Sequence, residues 1–91
     1  MKMRAHMVIQ GRVQGVFFRW ETRRRAQNEG VTGWIRNLPD GNVEAVFEGE
    51  QVQVDRVVDF CRKGPLGARV QSVQVTYEKF LGEFSDFRIK L

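Results

Sequence analysis

Met3, Ala5, Met7 and Ile9 are interleaved with Arg4, His6, Val8 and Gln10 at the start of the chain. A period of two marks a strand with at least one buried face. Gly11 and Gly15, four positions apart, end that strand and make a turn able to expose backbone N–H groups. From about Phe18 to Glu29 the period changes. Phe18, Thr22 and Ala26 recur at intervals of four on one helical face, and Gly30 stands where a helix C′ glycine belongs. The Gly-rich turn therefore opens onto a helix N-terminus.

Val31 to Leu38 reads as a second strand, and Leu38-Pro39-Asp40-Gly41-Asn42 is turn chemistry. Val43, Ala45 and Phe47 alternate with Glu44 and Glu48 in a third strand, so strands two and three form a hairpin. Val54, Val57, Val58 and Cys61 follow the i, i+3, i+4, i+7 spacing of a second amphipathic helix, which Gly64-Pro65 stops. Val73, Val75 and Tyr77 alternate with polar residues in a fourth strand. Phe87, Ile89 and Leu91 do the same at the C-terminus, as a strand closing an edge. The order β-α-β-β-α-β plus a terminal strand predicts an α+β fold, the ferredoxin-like α/β sandwich, with two helices on one face of an antiparallel sheet. At 91 residues the expectation is one domain, 1–91, without linker or repeat.

Composition narrows the chemistry. Cys61 is the only cysteine and His6 the only histidine, so a disulfide within the chain and a His/Cys zinc site are both ruled out. Carboxylates could still hold Mg²⁺. A Ser-His-Asp triad would have to draw His6 from the first strand to meet Ser72 or Ser85. Cys61, on an apolar helical stripe, reads as a buried structural residue. A single cysteine and an N-terminus without a long apolar run predict a cytoplasmic protein, with neither signal peptide nor membrane helix. Fifteen Lys and Arg against eleven Asp and Glu leave a net charge of +4, which favours anionic partners without choosing among them.

The basic residues concentrate between Arg12 and Arg25. In Gly11-Arg12-Val13-Gln14-Gly15-Val16-Phe17-Phe18-Arg19, successive turn amides and a helix dipole can converge on one concavity, and an arginine beside it offers a fork matched to phosphate oxygens. Spacing serves a small anion site and a plain Gly-rich connector equally. It is not a Walker motif, because the Gly-Lys-Ser/Thr ending is missing. Asn37, before the Pro-Asp-Gly turn, reads first as turn chemistry. In the split βαβ arrangement, however, the end of strand two can approach the loop after strand one, where a carboxamide could hold a water. Arg23, Arg24 and Arg25 read as a solvated helix face, or else a docking patch for a longer anionic substrate or RNA. Trp20 and Trp34 read as core or site-rim aromatics, packing being the favoured reading for both, and His6 as exposed on the sheet.

These residues carry a resemblance. Gly11-Arg-Val-Gln-Gly-Val-Phe-Phe-Arg19 resembles the first signature of the acylphosphatase family. Gly33-Trp-Ile-Arg-Asn37, followed by Asp40-Gly41-Asn-Val-Glu44, resembles the second. Gly64-Pro65 and the C-terminal Phe-Arg-Ile fit the same register. The resemblance implies the ferredoxin-like fold and hydrolysis of a carboxyl phosphate to carboxylate and inorganic phosphate. It implies that Arg19 binds the phosphate and that Asn37 positions the attacking water. The amides of Gly15, Val16, Phe17 and Phe18 would complete a phosphate cradle. Phe17 departs from members with Gly at this place, though others carry the same Val-Phe-Phe-Arg. The reaction so implied needs no metal or other cofactor, and its ligands are a small acyl phosphate, inorganic phosphate or another small anion. A free-standing monomeric hydrolase is expected.

Rival readings fit less well. An RNA recognition motif shares the element order but needs stacking aromatics in its third strand. Asn42 to Glu48 offers one aromatic between acidic residues, so nucleic acid is not an expected partner. A metal-carrying ferredoxin domain would need paired cysteines in the first loop. A regulatory domain that binds acyl phosphate without turnover would not call for both Arg19 and Asn37. No residue pattern reads the acyl part of a substrate.

Overall fold

The alternating N-terminal residues form β1, Lys2–Arg12, in a computed structural model that describes residues 1–91. The strand runs through Gly11 rather than ending there. Its register against β4 (Arg69–Glu78) shifts between Gln10 and Gly11, and a Cβ at Gly11 would collide with the Arg69 carbonyl. The glycine thus lets the backbones meet at a bulge and re-aims the chain before the loop.

Helix α1 spans Phe18–Glu29, the bounds its four-residue spacing predicts, and buries Phe18, Thr22 and Ala26. Gly30 closes it in the left-handed conformation, its amide donating to the carbonyls of Ala26 and Gln27. Strands β2 (Thr32–Asn37) and β3 (Val43–Glu50) pair antiparallel across the Pro-Asp-Gly turn. Helix α2 spans Gln51–Lys63 and buries Val54, Val57, Val58 and Cys61. The two helices touch where Thr22 Oγ1 lies 3.6 Å from Cys61 Sγ, and burial pushes that thiol up to about 12.

The sheet order is β4-β1-β3-β2-β5, with β5 at Phe87–Ile89. Four strands pair antiparallel as the pattern predicts. The terminal strand lies parallel to β2, with Gly33 opposite Phe87 and Ile35 opposite Ile89, so the sheet is mixed. It arrives this way because residues 79–86 cross the helix-free face from one sheet edge to the other. Between helices and sheet lies the core, where Met7, Ile9, Ile35 and Phe47 are buried against Val54 and Val57. Phe47 and Phe87 stack at 5.6 Å, which docks the short β5 onto that core.

The crossing segment also makes Glu48 a buried residue, although it alternates with the core positions of β3. Its carboxylate accepts from Arg4 Nη1 at 3.3 Å and from the amides of Leu81 at 2.8 Å and Glu83 at 3.3 Å. Three donors offset the cost of burying the charge. Arg4 also donates to Glu83 at 2.6 Å, and together these contacts tie the strap to the sheet.

Candidate active site

Residues 13–18 connect β1 to α1 and are pinned at both ends. Val13 and Phe18 are buried in the core, and Val16 packs against it. Gly15 takes φ 75° at a point open enough that its conformation, not crowding, favours glycine. Phe17 also lies in the left-handed region, at φ 61° and ψ 23°, and is the one non-glycine residue of the chain with positive φ. Such a conformation in a bulky residue costs of order 1–3 kcal/mol, so the fold holds it there. Phe17 is also the N-cap of α1 and makes no side-chain cap bond.

The consequence is a row of unpaired donors. The amides of Gly15, Val16, Phe17 and Phe18 donate to no protein acceptor. The first amides of a helix have no intrahelical partner, and the dipole adds partial positive charge. Glu21 stands in the same first turn and lessens that potential. Arg19, one position into the helix, is partly buried yet forms no ion pair or hydrogen bond within the chain. Its guanidinium fork is therefore free to meet an anion.

Asn37 reaches the same place from the end of β2. One pocket of about 370 Å³ is lined by Gly15, Phe17, Phe18, Arg19, Trp20 and Asn37, with Val13 and Ile89 completing its wall. The structure thus brings together the arginine, the asparagine and most of the loop singled out by sequence. Val16 does not line the pocket, since its side chain turns to the core. Asn37 Oδ1 is buried and has no hydrogen-bond partner in the protein. An orphaned buried acceptor costs about 1–3 kcal/mol, and such groups gather where a ligand or water is bound.

Gln14 sets the two halves of the site against each other. Its Nε2 donates to the carbonyls of Leu38 at 2.8 Å and Asn42 at 2.9 Å, so the loop before α1 grips the turn after Asn37. Leu38 and Asn42 already close that turn through a 2.8 Å amide bond. Sequence gave no hint of this role, since a glutamine between two glycines carries no pattern of its own. Trp20, expected to pack, is instead 48% exposed on the pocket rim. Trp34 does pack, partly buried on the helix-free face between Arg36 at 5.3 Å and Lys90 at 4.3 Å.

The remaining candidates lie elsewhere. Arg24 and Arg25 are exposed on α1 and Arg23 is partly covered; Arg24 stacks over Trp20 at 6.0 Å and Arg25 over Phe60 at 4.9 Å. His6 is partly covered and pairs with Glu44 at 2.8 Å, across the strands from the pocket. Glu44 also accepts from Arg36 at 2.7 Å. Burial would raise the Glu44 carboxyl, but the hydrogen bonds from His6 and Arg36 outweigh it and hold the group below its ordinary value. No three His, Cys, Asp or Glu side chains come together anywhere in the chain as a ligand set for a metal ion.

Comparison with known proteins gives the chain its family. Residues 5–89 match the family model described as acylphosphatase. A curated acylphosphatase of Pelotomaculum thermopropionicum is 53% identical over 88 residues, covering 97% of this chain and 96% of the relative. The crystal structure of acylphosphatase from Bacillus subtilis superposes with a TM-score of 0.93 at 29% identity, over 98% of this chain and 99% of that one. An acylphosphatase from Coxiella burnetii gives 0.86 at 36% identity, over 98% and 93%. The chain belongs to the acylphosphatase family, and it is a hydrolase of that class.

Proposed function

We propose that the protein hydrolyses carboxyl phosphates to carboxylate and inorganic phosphate, with Arg19 and the amides of Gly15 to Phe18 holding the phosphoryl group and Asn37 orienting the attacking water. The observation that carries this reading is the buried, unpartnered Oδ1 of Asn37, a residue lining the same pocket as an unpaired arginine and a loop of free amides. The carboxamide oxygen accepts a hydrogen bond from the water and aims its lone pair at phosphorus. Arg19 and the amides meet the charge that spreads over the equatorial oxygens.

So few groups suffice because the leaving group is good. A carboxylate departs as the base of an acid with pKa near ~4, so no general acid is required. What is left is positioning and charge stabilisation, both of which this loop supplies without a metal. No helix is long and apolar enough to cross a membrane.

The test is hydrolysis of benzoyl phosphate by wild type, Arg19→Ala and Asn37→Ala, each with and without EDTA. Losing one preorganised donor costs about 10²–10³ in rate. Arg19→Ala should fall below detection and Asn37→Ala should lose at least the lower figure, while EDTA changes nothing. A fully active Arg19→Ala protein would sink the mechanism, and a rate abolished by EDTA would sink its metal independence.

A further inference from the structure

Two stretches of the chain, 1–20 and 60–77, contain no acidic residue. The pairing of β1 with β4 brings them together and sets Arg12 opposite Arg69. Like charges directly opposite on neighbouring strands repel. Both arginines are exposed, and neither meets a carboxylate. Arg62 and Lys63 end α2 close by, Arg62 within 3.9 Å of Asp59 and Lys63 without a partner. Those two complement the negative end of the helix dipole, a role that leaves the arginine pair unexplained.

The loop from Lys63 to Arg69 carries an apolar tip within this basic ground. Leu66 is 102% exposed, so no wall surrounds it. It is held out by a built turn. The amide of Gly64 donates to the Phe60 carbonyl at 2.7 Å and that of Ala68 to the Pro65 carbonyl at 3.0 Å. Gly64 also lies so near the Phe18 ring that a side chain there would strike it, which seats the loop on the core. An exposed leucine by itself calls for no explanation. One fixed at the apex of a turn, with Arg12, Lys63 and Arg69 about its base, has a two-part chemistry.

We propose that this corner docks reversibly on an anionic lipid surface, with Leu66 entering beneath the headgroups and Arg12, Lys63 and Arg69 meeting their phosphates. The two features match the two layers of such a surface. A soluble anion or an acidic polymer would satisfy the arginines and leave the leucine in water. A fluid lipid layer parts around a convex tip and takes both. One apolar side chain and a few basic ones are each weak signals, and reversible attachment needs the two together. Docking of this kind requires no spanning helix, and none of the four residues lines the pocket that holds Arg19 and Asn37.

The experiment is co-sedimentation with phosphatidylcholine vesicles, with and without phosphatidylglycerol, at low and high salt. Wild type, Leu66→Ser, Lys63→Gln, Arg69→Gln and the Arg12→Gln/Arg69→Gln double variant are compared, with thermal melts confirming that each is folded. Lys90→Gln is the control, since it removes the same charge beside β5, at the opposite edge of the sheet. Wild type should bind the phosphatidylglycerol vesicles, ignore the neutral ones and come off in high salt. The partition coefficient should fall about fivefold for Lys63→Gln and for Arg69→Gln, and about twentyfold for the double variant. Leu66→Ser should lose about tenfold, and Lys90→Gln should bind as wild type does. Failure of wild type to bind, or equal binding to neutral vesicles, overturns the proposal. So does a Lys90→Gln loss equal to that of Arg69→Gln, because net charge alone would then drive the binding. Full binding by Leu66→Ser overturns it as well, and shows that the patch takes any polyanion.

Discussion

At the scale of single residues, the site depends on a side chain that never meets the substrate. Gln14 donates both hydrogens of its amide to carbonyls of the turn that follows Asn37. Arg19 hangs from α1 and Asn37 from β2, so their separation is set by how firmly loop and turn are joined. Each such bond contributes about 0.5–1.5 kcal/mol, and a misplacement of about 1 Å can cost 10² in rate. Gln14→Ala should therefore lose roughly 1–3 kcal/mol of stability in urea unfolding and at least about tenfold in kcat. A variant as active as wild type would show that other contacts set the spacing. Nothing about Gln14 was legible in the sequence, because its partners lie 24 and 28 residues away. Arg19 and Asn37 were legible through the signatures around them, and Asn37 on its own pattern would have passed for a turn residue.

Among the elements, the strap of residues 79–86 has the largest effect for its length. It carries the chain across the helix-free face, delivers β5 parallel to β2, and supplies two amides to Glu48. Ile89 of β5 then completes the wall of the pocket. Removing one partner of a buried ion pair leaves an uncompensated charge and costs about 3–5 kcal/mol. Arg4→Met strips the guanidinium from the fully buried Glu48 while the two strap amides remain. A loss near the lower end, about 3 kcal/mol, is expected from chemical unfolding. A shift below about 1 kcal/mol would mean that the strap amides hold Glu48 unaided. Alternation along β3 points Glu48 away from the helices correctly. It cannot reveal that a segment more than thirty residues later covers that side.

For the whole molecule, acid stability follows from a cluster that spans three strands. Glu44 on β3 links His6 on β1 to Arg36 on β2, and these partners hold its carboxyl below the ordinary value despite burial. A carboxyl lowered by folding adds stability above its unfolded pKa, near 4.5 here, and that stability drains away as pH falls through the lower folded value. Glu44→Gln should therefore be less stable than wild type at pH 7, by about 1 kcal/mol. The gap should close as the pH is taken from about 5 to 3. Thermal melts of both proteins across that range check the sign, and a gap that widens in acid would contradict it. The cluster lies apart from the pocket, so the pH dependence of turnover should not follow it.

Local order was what the sequence by itself determined. Helix α1, its glycine cap and the β2–β3 hairpin each depend on residues a few positions apart, and their spacing or turn chemistry specifies them without help. The glycine-rich loop before α1 was likewise readable as a stretch of chain. The tertiary structure alone decided which distant groups meet. It left Asn37 Oδ1 without a partner and set Asn37 and Arg19 in one pocket, buried Glu48 under the strap, and turned Phe17 and Trp20 outward at the rim. These outcomes come from closing a five-stranded sheet over its helices, and no local pattern encodes where remote segments arrive.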